Sequence, residues 1–228
     1  MSDLRLIRGA SNSRYGGIHW YEWNPKEEAV VGPRAADLFL LHPLPLDGTV
    51  FNVIAPYLAA GRTVVAPEYP GYGRSDTLRE DPTIGKYAGA MIDVVRARDT
   101  HGPADLFGFG AGCLVAVELA LRFPDEIHRL VLVDVPYHAA AERRQKLREA
   151  GTEAGFVAAF SYPVQERLPI VGQPCLVVAT GAGTAESSGA AAKALPDGRL
   201  KAYPEVGEPV LETGAAVISA ATLEFLDS

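Results

Sequence analysis

The residues best suited to chemistry follow apolar segments that have the length of buried strands. His42 ends the segment LFLLH, Asp134 ends LVLVD, His138 comes four residues later, and Glu208 lies in PEVGEP near the end of the chain. In open α/β sheets, ligands bind in the crevice at the carboxyl ends of the strands. We therefore expect the four side chains to face one crevice, with Asp134, His138 and Glu208 transferring protons and His42 contacting the ligand.

Each of the four residues also has a structural interpretation, which the sequence leaves open. Asp134 at a strand end can accept hydrogen bonds from a loop, and His42 in its apolar segment can serve the core. His138 and Glu208 can be solvated surface groups. Tyr72, in PGYGRSD, can pack against its neighbours or direct its hydroxyl to a ligand.

The glycine-rich segment GFGAG at Gly108–Gly112 lies between a strand-like and a helix-like apolar segment. Glycine at position 110 accepts a positive φ and lets a ligand approach the backbone closely. Ala111 begins the predicted helix, and free N–H groups at a helix start favour negative charge. The segment lacks the full G-x-G-x-x-G spacing and no P-loop lysine follows, so it does not predict a nucleotide site.

Composition and charge narrow the classes of partner. The net charge of −7 over 228 residues argues against nucleic acid and against an anionic membrane surface. No apolar run approaches the roughly 20 residues of a transmembrane helix. The start MSDLRLIRGA has no apolar signal region, so we expect a cytoplasmic protein, and its arginine-rich, alanine-rich composition is typical of a GC-rich bacterial genome.

The cysteines and histidines predict neither a metal site nor a disulfide. Cys113 and Cys175 both lie in apolar segments, which favours two buried thiols. There is no C-x-x-C and no histidine pair at ligand spacing. We expect no cofactor and a small-molecule ligand as partner, and a homodimer stays open.

Short apolar segments alternate with helical ones, which indicates a mainly parallel sheet with helices on both faces. The predicted strands are Leu4–Arg8, Gly17–Trp23, Leu38–His42, Thr63–Ala66, Leu106–Phe109, Leu130–Val133, Cys175–Ala179 and Leu200–Tyr203, the first two antiparallel. The predicted helices are Asp47–Ala60, Thr83–Arg98, Ala111–Phe123 and Ala215–Leu226, and Pro25–Arg34 is predicted to be a loop. Residues 136–168 fit no strand and are predicted to form an insertion with helices at Ala139–Ala150 and Glu153–Phe160, within a single domain over residues 1–228.

Four segments together resemble the α/β-hydrolase family over nearly the whole chain. They are LLHPLPLDG at Leu40–Gly48, APEYPGYGRSD at Ala66–Asp76, GFGAG at Gly108–Gly112, and the insertion, which stands where the family carries its cap. The resemblance implies an α/β-hydrolase fold, with an eight-stranded, mostly parallel sheet, flanking helices and a short helical cap. It also implies that the N–H groups of Leu44 and Ala111 match the oxyanion-hole donors.

The same resemblance locates three departures from the family's catalytic triad. The nucleophile position falls on Gly110, the acid position on Thr184 and the histidine position on Glu208. No histidine lies beyond residue 138, whereas the family's order of nucleophile, acid and histidine requires one there. Glycine cannot form an acyl-enzyme, so we predict that the chain is not a serine hydrolase.

Two classes of function follow from these residues. The first is a non-hydrolytic enzyme, such as a cyclase, lyase or isomerase, that binds an apolar carbonyl-containing small molecule beside Gly110. The alternative is a non-catalytic ligand-binding or protein-interaction module. Hydrolysis by a relocated carboxylate is a third and more remote interpretation.

Overall fold

The sheet observed in the computed structural model contains eight strands in the described residues, which are 4–25, 35–98, 102–151 and 153–228. The strands are β1 (Leu4–Ser13), β2 (Gly16–Pro25), β3 (Leu38–Leu41), β4 (Val64–Pro67), β5 (Ala104–Phe109), β6 (Ile127–Val133), β7 (Cys175–Thr180) and β8 (Gly198–Tyr203). Their spatial order is β1-β2-β4-β3-β5-β6-β7-β8. β1 pairs with β2 and β2 with β4 in antiparallel fashion, and all other pairs are parallel. The predicted eight-stranded, mostly parallel sheet is confirmed.

Helices cover both faces of this sheet. They are α1 (Ala55–Leu58), α2 (Ile84–Arg96), α3 (Gly112–Arg122), α4 (Ala140–Glu149), α5 (Ala154–Ser161), α6 (Val164–Arg167), α7 (Gly181–Ala194), α8 (Val210–Thr213) and α9 (Ala215–Leu226). Short 3₁₀ helices span Gly48–Phe51 and Leu168–Ile170. Of the predicted loop Pro25–Arg34, Pro25 ends β2 and the remainder lies outside the described residues.

The long helix predicted over Asp47–Ala60 is wrong in detail. Asp47 caps a 3₁₀ helix by accepting a hydrogen bond from the N–H of Thr49, and only Ala55–Leu58 is α-helical. Proline has no N–H to donate to the preceding turn, so Pro56 is tolerated at a helix start and not in a helix interior.

Two apolar clusters lie on opposite faces of the sheet. Alternate residues of a strand point to opposite faces, and along β3 Phe39 and Leu41 join one cluster while Leu38 and Leu40 join the other. The first cluster includes α2, α3 and part of the cap, and the second includes α1 and α9. Cys113 and Cys175 are free and buried in the first cluster.

The insertion between β6 and β7 is helical, as its sequence predicts. It contains α4, α5, α6 and the second 3₁₀ helix. α4 buries none of its residues, whereas α5 turns Gly155, Ala158 and Ala159 inward. α4 packs on α5, so these two helices form a cap beside the carboxyl ends of the central strands. No described helix is both long and apolar enough to cross a membrane.

Candidate functional site

The chain turns sharply from β5 into α3 at Gly110. The φ of Gly110 is +55°, in the left-handed region that side chains rarely adopt. Its N–H donates to the carbonyl of Val133 at 2.9 Å, and its carbonyl accepts from the N–H of Cys113 at 3.0 Å. The turn is therefore held by backbone bonds to β6 and to its own helix.

The flanking glycines allow two pieces of backbone to come into contact. A Cβ on Gly108 would lie 2.7 Å from the backbone of Cys113, and one on Gly112 would lie 2.0 Å from the carbonyl oxygen of Leu41. Both are closer than real Cβ atoms come, so these positions require glycine. A Cβ on Gly110 would instead meet the Cβ of Pro43 at 3.2 Å, a tight contact.

A cavity of about 230 Å³ lies above this turn. Loop residues, α3 and the cap together enclose it, and most of the surface they contribute is apolar. The lining consists of Pro43, Leu44, Gly110, Ala111, Leu114, Pro136, His138, Arg143, Phe156, Ala159, Phe160, Tyr162 and Val164. The structure thus brings four of the sequence-predicted residues together: Leu44, Gly110, Ala111 and His138.

The backbone N–H groups of Leu44 and Ala111 have no acceptor in the described part of the chain. Ala111 immediately precedes α3 and no side chain caps that helix, so its start keeps free donors beside the cavity. A ligand oxygen in this cavity would be the partner that such donors require.

His138 reaches the cavity from the loop before α4. Its Nδ1 lies 2.9 Å from Oε1 of Glu142, one helical turn further on. Burial lowers the pKa of His138, and the neighbouring Glu142 opposes that shift. The lowered pKa favours the neutral imidazole, which can accept a proton.

His42 does not line the cavity, because both of its ring nitrogens are engaged by backbone. Nδ1 donates to the carbonyl of Pro43 at 3.1 Å, and Nε2 accepts from the N–H of Tyr69 at 3.1 Å. The ring is fully buried, and burial lowers its pKa to about 4. His42 thus holds the loop that carries Leu44, rather than touching a ligand itself.

Tyr72 is also absent from the cavity lining. Its ring packs at 5.7 Å from that of His42, and its hydroxyl lies 2.0 Å from the position that a Cβ on Gly155 would take. Tyr72 therefore packs the loop after β4 against the cap helix α5, which is the packing alternative left open by the sequence.

Asp134 is directed toward the start of α7 and away from the cavity. Its φ of +53° is the only positive value of a non-glycine residue in the described chain. Its carboxylate accepts hydrogen bonds from the N–H of Thr180 at 2.8 Å, the hydroxyl of Thr180 at 2.5 Å and the hydroxyl of Thr184 at 2.7 Å. These bonds join the end of β6 to the first turn of α7, where a negative charge is favourable.

Thr184 and Glu208 are the residues at which the sequence resemblance predicts the family's acid and histidine positions. Thr184 lies inside α7, a helix that the sequence analysis does not predict. Glu208 is exposed, lies outside the cavity lining, and accepts only a 3.3 Å bond from the N–H of Val210. The structure does not bring Asp134 and Glu208 together beside Gly110.

A family model described as the alpha/beta hydrolase fold matches residues 38–169, more than half of the chain. The chain belongs to the α/β-hydrolase fold family. An enol-lactonase from Burkholderia xenovorans LB400 superposes with a TM-score of 0.79 over 96% of this chain and 100% of that chain, at 16% identity, which supports the fold alone.

Curated relatives of this α/β-hydrolase are named for hydrolytic enzymes. A pimeloyl-[acyl-carrier protein] methyl ester esterase from Aromatoleum aromaticum is 34% identical over 133 residues, 55% of this chain and 50% of that protein. A haloalkane dehalogenase from Psychrobacter cryohalolentis is 36% identical over 103 residues, 43% of this chain and 34% of that protein. The chain thus matches half or less of the length of these relatives, whose names suggest hydrolysis and do not support a non-hydrolytic activity.

Sequence reasoning missed the cap's contribution to the cavity of this α/β-hydrolase. Arg143 on α4 and Phe156 and Phe160 on α5 line it, yet none was a candidate. The rings of Phe156 and Phe160 stack at 6.0 Å and form an apolar wall. A signal existed in the two phenylalanines four residues apart, which lie on one face of a helix.

No cluster of three or more histidine, cysteine or acidic side chains suited to a metal ion occurs in the residues that the structure describes. What the cavity offers is backbone donors, one imidazole, one guanidinium, the ring of Tyr162, whose hydroxyl donates to Glu118, and apolar walls.

Proposed function

We propose that this α/β-hydrolase-fold protein lacks the Ser-acid-His triad and binds a small apolar carbonyl-containing molecule in the cavity above Gly110, without forming an acyl-enzyme. The observation that carries the proposal is the juxtaposition in one apolar cavity of two unpartnered backbone donors, on Leu44 and Ala111. Such donors bind a carbonyl oxygen and favour negative charge on it.

Covalent catalysis finds no support in the residues at the turn. Gly110 has no side chain, and Pro43 stands close to where a side chain would begin. Among the residues that the structure describes, the cavity lining contains no serine, cysteine, threonine or carboxylate. Under this proposal the chain does not share the covalent chemistry of a serine esterase, although its relatives are named esterases and a dehalogenase.

The size and polarity of the cavity restrict the ligand. At about 230 Å³ the cavity is smaller than the roughly 300–1,000 Å³ of typical drug-sized sites. Its walls are mainly apolar, with polar groups at few points. A short acyl or small aromatic carbonyl compound fits this description.

The test is binding of methyl hexanoate followed by two-dimensional amide NMR. We expect a saturable shift of the Leu44 and Ala111 amide resonances, because a carbonyl oxygen would accept from both. Ala159→Leu, which fills the cavity from α5, should abolish the shift. Ala154→Leu is the matched control, since Ala154 is exposed on the same helix.

Methyl hexanoate that shifts neither amide, or that binds the Ala159→Leu protein equally well, would show the proposed ligand site to be wrong. Mass spectrometry after incubation with p-nitrophenyl butyrate tests the absence of an acyl-enzyme. A stable mass increase of one butyryl group would contradict that part of the proposal.

A second candidate function is proton transfer by His138, favoured by its 2.9 Å contact with Glu142 at the cavity wall. A neutral imidazole held by a carboxylate is the arrangement of a general base. It could draw a proton from water that attacks a bound ester, in keeping with the relatives' names, or from a carbon next to a carbonyl.

Two assays separate catalysis by His138 from binding alone. Hydrolysis of phenyl butyrate and deuterium exchange at the α-carbon of 2-heptanone would both be measured for the native protein and for His138→Gln. Catalysis predicts that one rate falls to background in the variant while methyl hexanoate still binds. Equal rates in the two proteins would leave binding as the function.

A further inference from the structure

We propose that Arg143 makes the cavity selective for ligands that carry a carboxylate, so that the ligand class is small carboxylic acids with an apolar body. The inference rests on the proposed function, because it assigns the ligand's charge within the same cavity. Nothing in the names of the relatives or in the sequence motifs singles out this residue.

The guanidinium of Arg143 has a buried N–H group without a hydrogen-bond acceptor among the described residues. Arg143 lines the cavity, and its Nη1 atom is buried without a hydrogen bond to any described residue. An arginine presents five N–H donors and remains charged at any physiological pH. Burying a donor of a charged group without an acceptor costs free energy, so the arrangement favours an anion that enters the cavity.

The described residues supply no anion at this point. Aspartate and glutamate are absent from the cavity lining. Glu142, the adjacent acid on α4, lies 2.9 Å from the imidazole of His138, and Lys146 lies 4.0 Å from the same oxygen. The side chain of Arg143 makes no ion pair with any described residue, whereas Glu142 already has two partners.

Five other arginines of the described residues, the buried Arg62 among them, are paired with carboxylates, whereas several exposed arginines such as Arg144 are not. Arg14 lies 2.6 Å from Asp93, and Arg96 lies 2.6 Å from Glu126. Arg167, which also belongs to the cap, lies 2.8 Å from Glu118. Arg143 differs from Arg167 because it faces the apolar cavity and pairs with no carboxylate of the described residues. A guanidinium in this position can bind a ligand's carboxylate through two parallel hydrogen bonds.

The experiment compares hexanoate with methyl hexanoate, which has the same apolar chain and no charge. Isothermal titration at pH 7.5 should give hexanoate a dissociation constant about tenfold lower, as expected for a charge-assisted hydrogen bond. Arg143→Gln should remove this preference, so that hexanoate and methyl hexanoate bind the variant with equal affinity. Arg143→Lys, which keeps the charge, should retain most of the preference.

Arg144→Gln is the matched control, because Arg144 is the next residue, is exposed, and does not line the cavity. It should keep the full preference for hexanoate. Equal affinities of the two ligands for the native protein, or an undiminished preference in Arg143→Gln, would overturn the inference while the proposed function stands. If neither ligand binds the native protein, the proposed function is wrong and the inference fails with it.

Discussion

Asp134 and Glu208 were predicted from the same argument, their position after a strand, and the structure separates them. Asp134 accepts three hydrogen bonds from Thr180 and Thr184, while Glu208 is exposed and accepts one long bond. A carboxylate with three donors around it is a structural anchor, and it joins β6 to α7. Its contribution should therefore appear in folding rather than in ligand binding.

Asp134→Asn should lower the free energy of unfolding by roughly 1.5–3 kcal/mol, because an amide replaces one acceptor with a donor that faces other donors. Asparagine tolerates the positive φ at this position, so backbone strain should change little. Glu208→Gln should change stability by less than about 0.5 kcal/mol, as for an exposed substitution. Urea unfolding of the three proteins at pH 7 measures both effects. A loss of similar size in the two variants would contradict the distinction between them.

His42 makes the stability of the fold depend on pH. Burial lowers its pKa to about 4, whereas in the unfolded chain it stays near 6.5. Between these values the unfolded state binds the proton and the folded state does not, so the free energy of unfolding falls as the pH falls from 6.5 to 4. The part due to His42 is about 3 kcal/mol at most, from 1.36 kcal/mol for each pH unit.

The measurement is urea unfolding of the native protein and of His42→Gln at pH 7.5, 6.5, 5.5 and 4.5. His42→Gln should be less stable at pH 7.5, because the contacts to Pro43 and Tyr69 are altered. Its stability should nevertheless decline less steeply toward pH 4.5. His138 also has a lowered pKa and titrates in both proteins, so the difference between them isolates His42. Parallel curves would refute the assignment.

Among the elements, the turn from β5 to α3 and the loop after β3 are fitted to each other. Gly110 keeps a left-handed φ, and Pro43 approaches the position of its missing Cβ to 3.2 Å. A side chain at residue 110 therefore meets two obstacles, one in the backbone and one in the neighbouring loop.

Gly110→Ala should destabilise the protein by about 1–2 kcal/mol through its left-handed conformation alone, with a further loss from contact with Pro43. Combining it with Pro43→Gly, which removes the opposing Cβ, should recover that further loss. We expect a coupling energy of about 0.5 kcal/mol or more in a double-mutant cycle measured by urea unfolding. Strictly additive effects would show that the two residues do not oppose each other.

The sequence predicted elements well where apolar periodicity was strong. All eight strands were located, and the prediction was strongest for β3, β4, β5, β6 and β7, which are short apolar runs that the sheet buries. The edge strands β1 and β8 are more exposed. α7 was missed because GAGTAESSGAAAKA has small residues and no apolar stripe, although its alanines favour a helix. α4 was predicted, but it buries no residue, so nothing in its pattern distinguishes Arg143 at the cavity from the exposed Arg144.

The sequence predicted the backbone positions of the candidate site but not the directions of its side chains. The turn at Gly110 was predicted from the segment GFGAG between a strand and a helix, and Leu44 and Ala111 were predicted from the resemblance to the α/β-hydrolase family. The direction of a side chain after a strand is not given by its position, since the φ of +53° turns Asp134 toward α7. The sequence also places His42 next to the site without revealing that backbone groups engage both of its nitrogens.

At the scale of the whole molecule, Cys113 on α3 and Cys175 on β7 lie in the same apolar cluster, so the reactivity of their thiols measures how often that cluster opens. Both thiols are buried, and burial raises the pKa of Cys175 to about 12 and that of Cys113 well above its ordinary value. The reactive thiolate is thus scarce at pH 8 as long as the protein is folded.

Both thiols should react with Ellman's reagent in a single phase whose rate equals the rate of global unfolding, because exposing either one requires the cluster to open. The test follows absorbance at pH 8 in low urea, with the unfolding rate taken from stopped-flow tryptophan fluorescence. A fast phase worth one thiol would reveal a local opening. Ligands that bind the folded state should slow the reaction further.

The close approach of Pro43 to Gly110 also restricts which substitutions at residue 110 evolution can accept. A change of residue 110 to serine would add a hydroxyl in a conformation that side chains disfavour and against the ring of Pro43. A lineage that gained this serine would lose folding stability before it gained activity, unless residue 43 had changed first. The contact between residues 43 and 110 therefore limits the order in which substitutions can bring a serine to this turn.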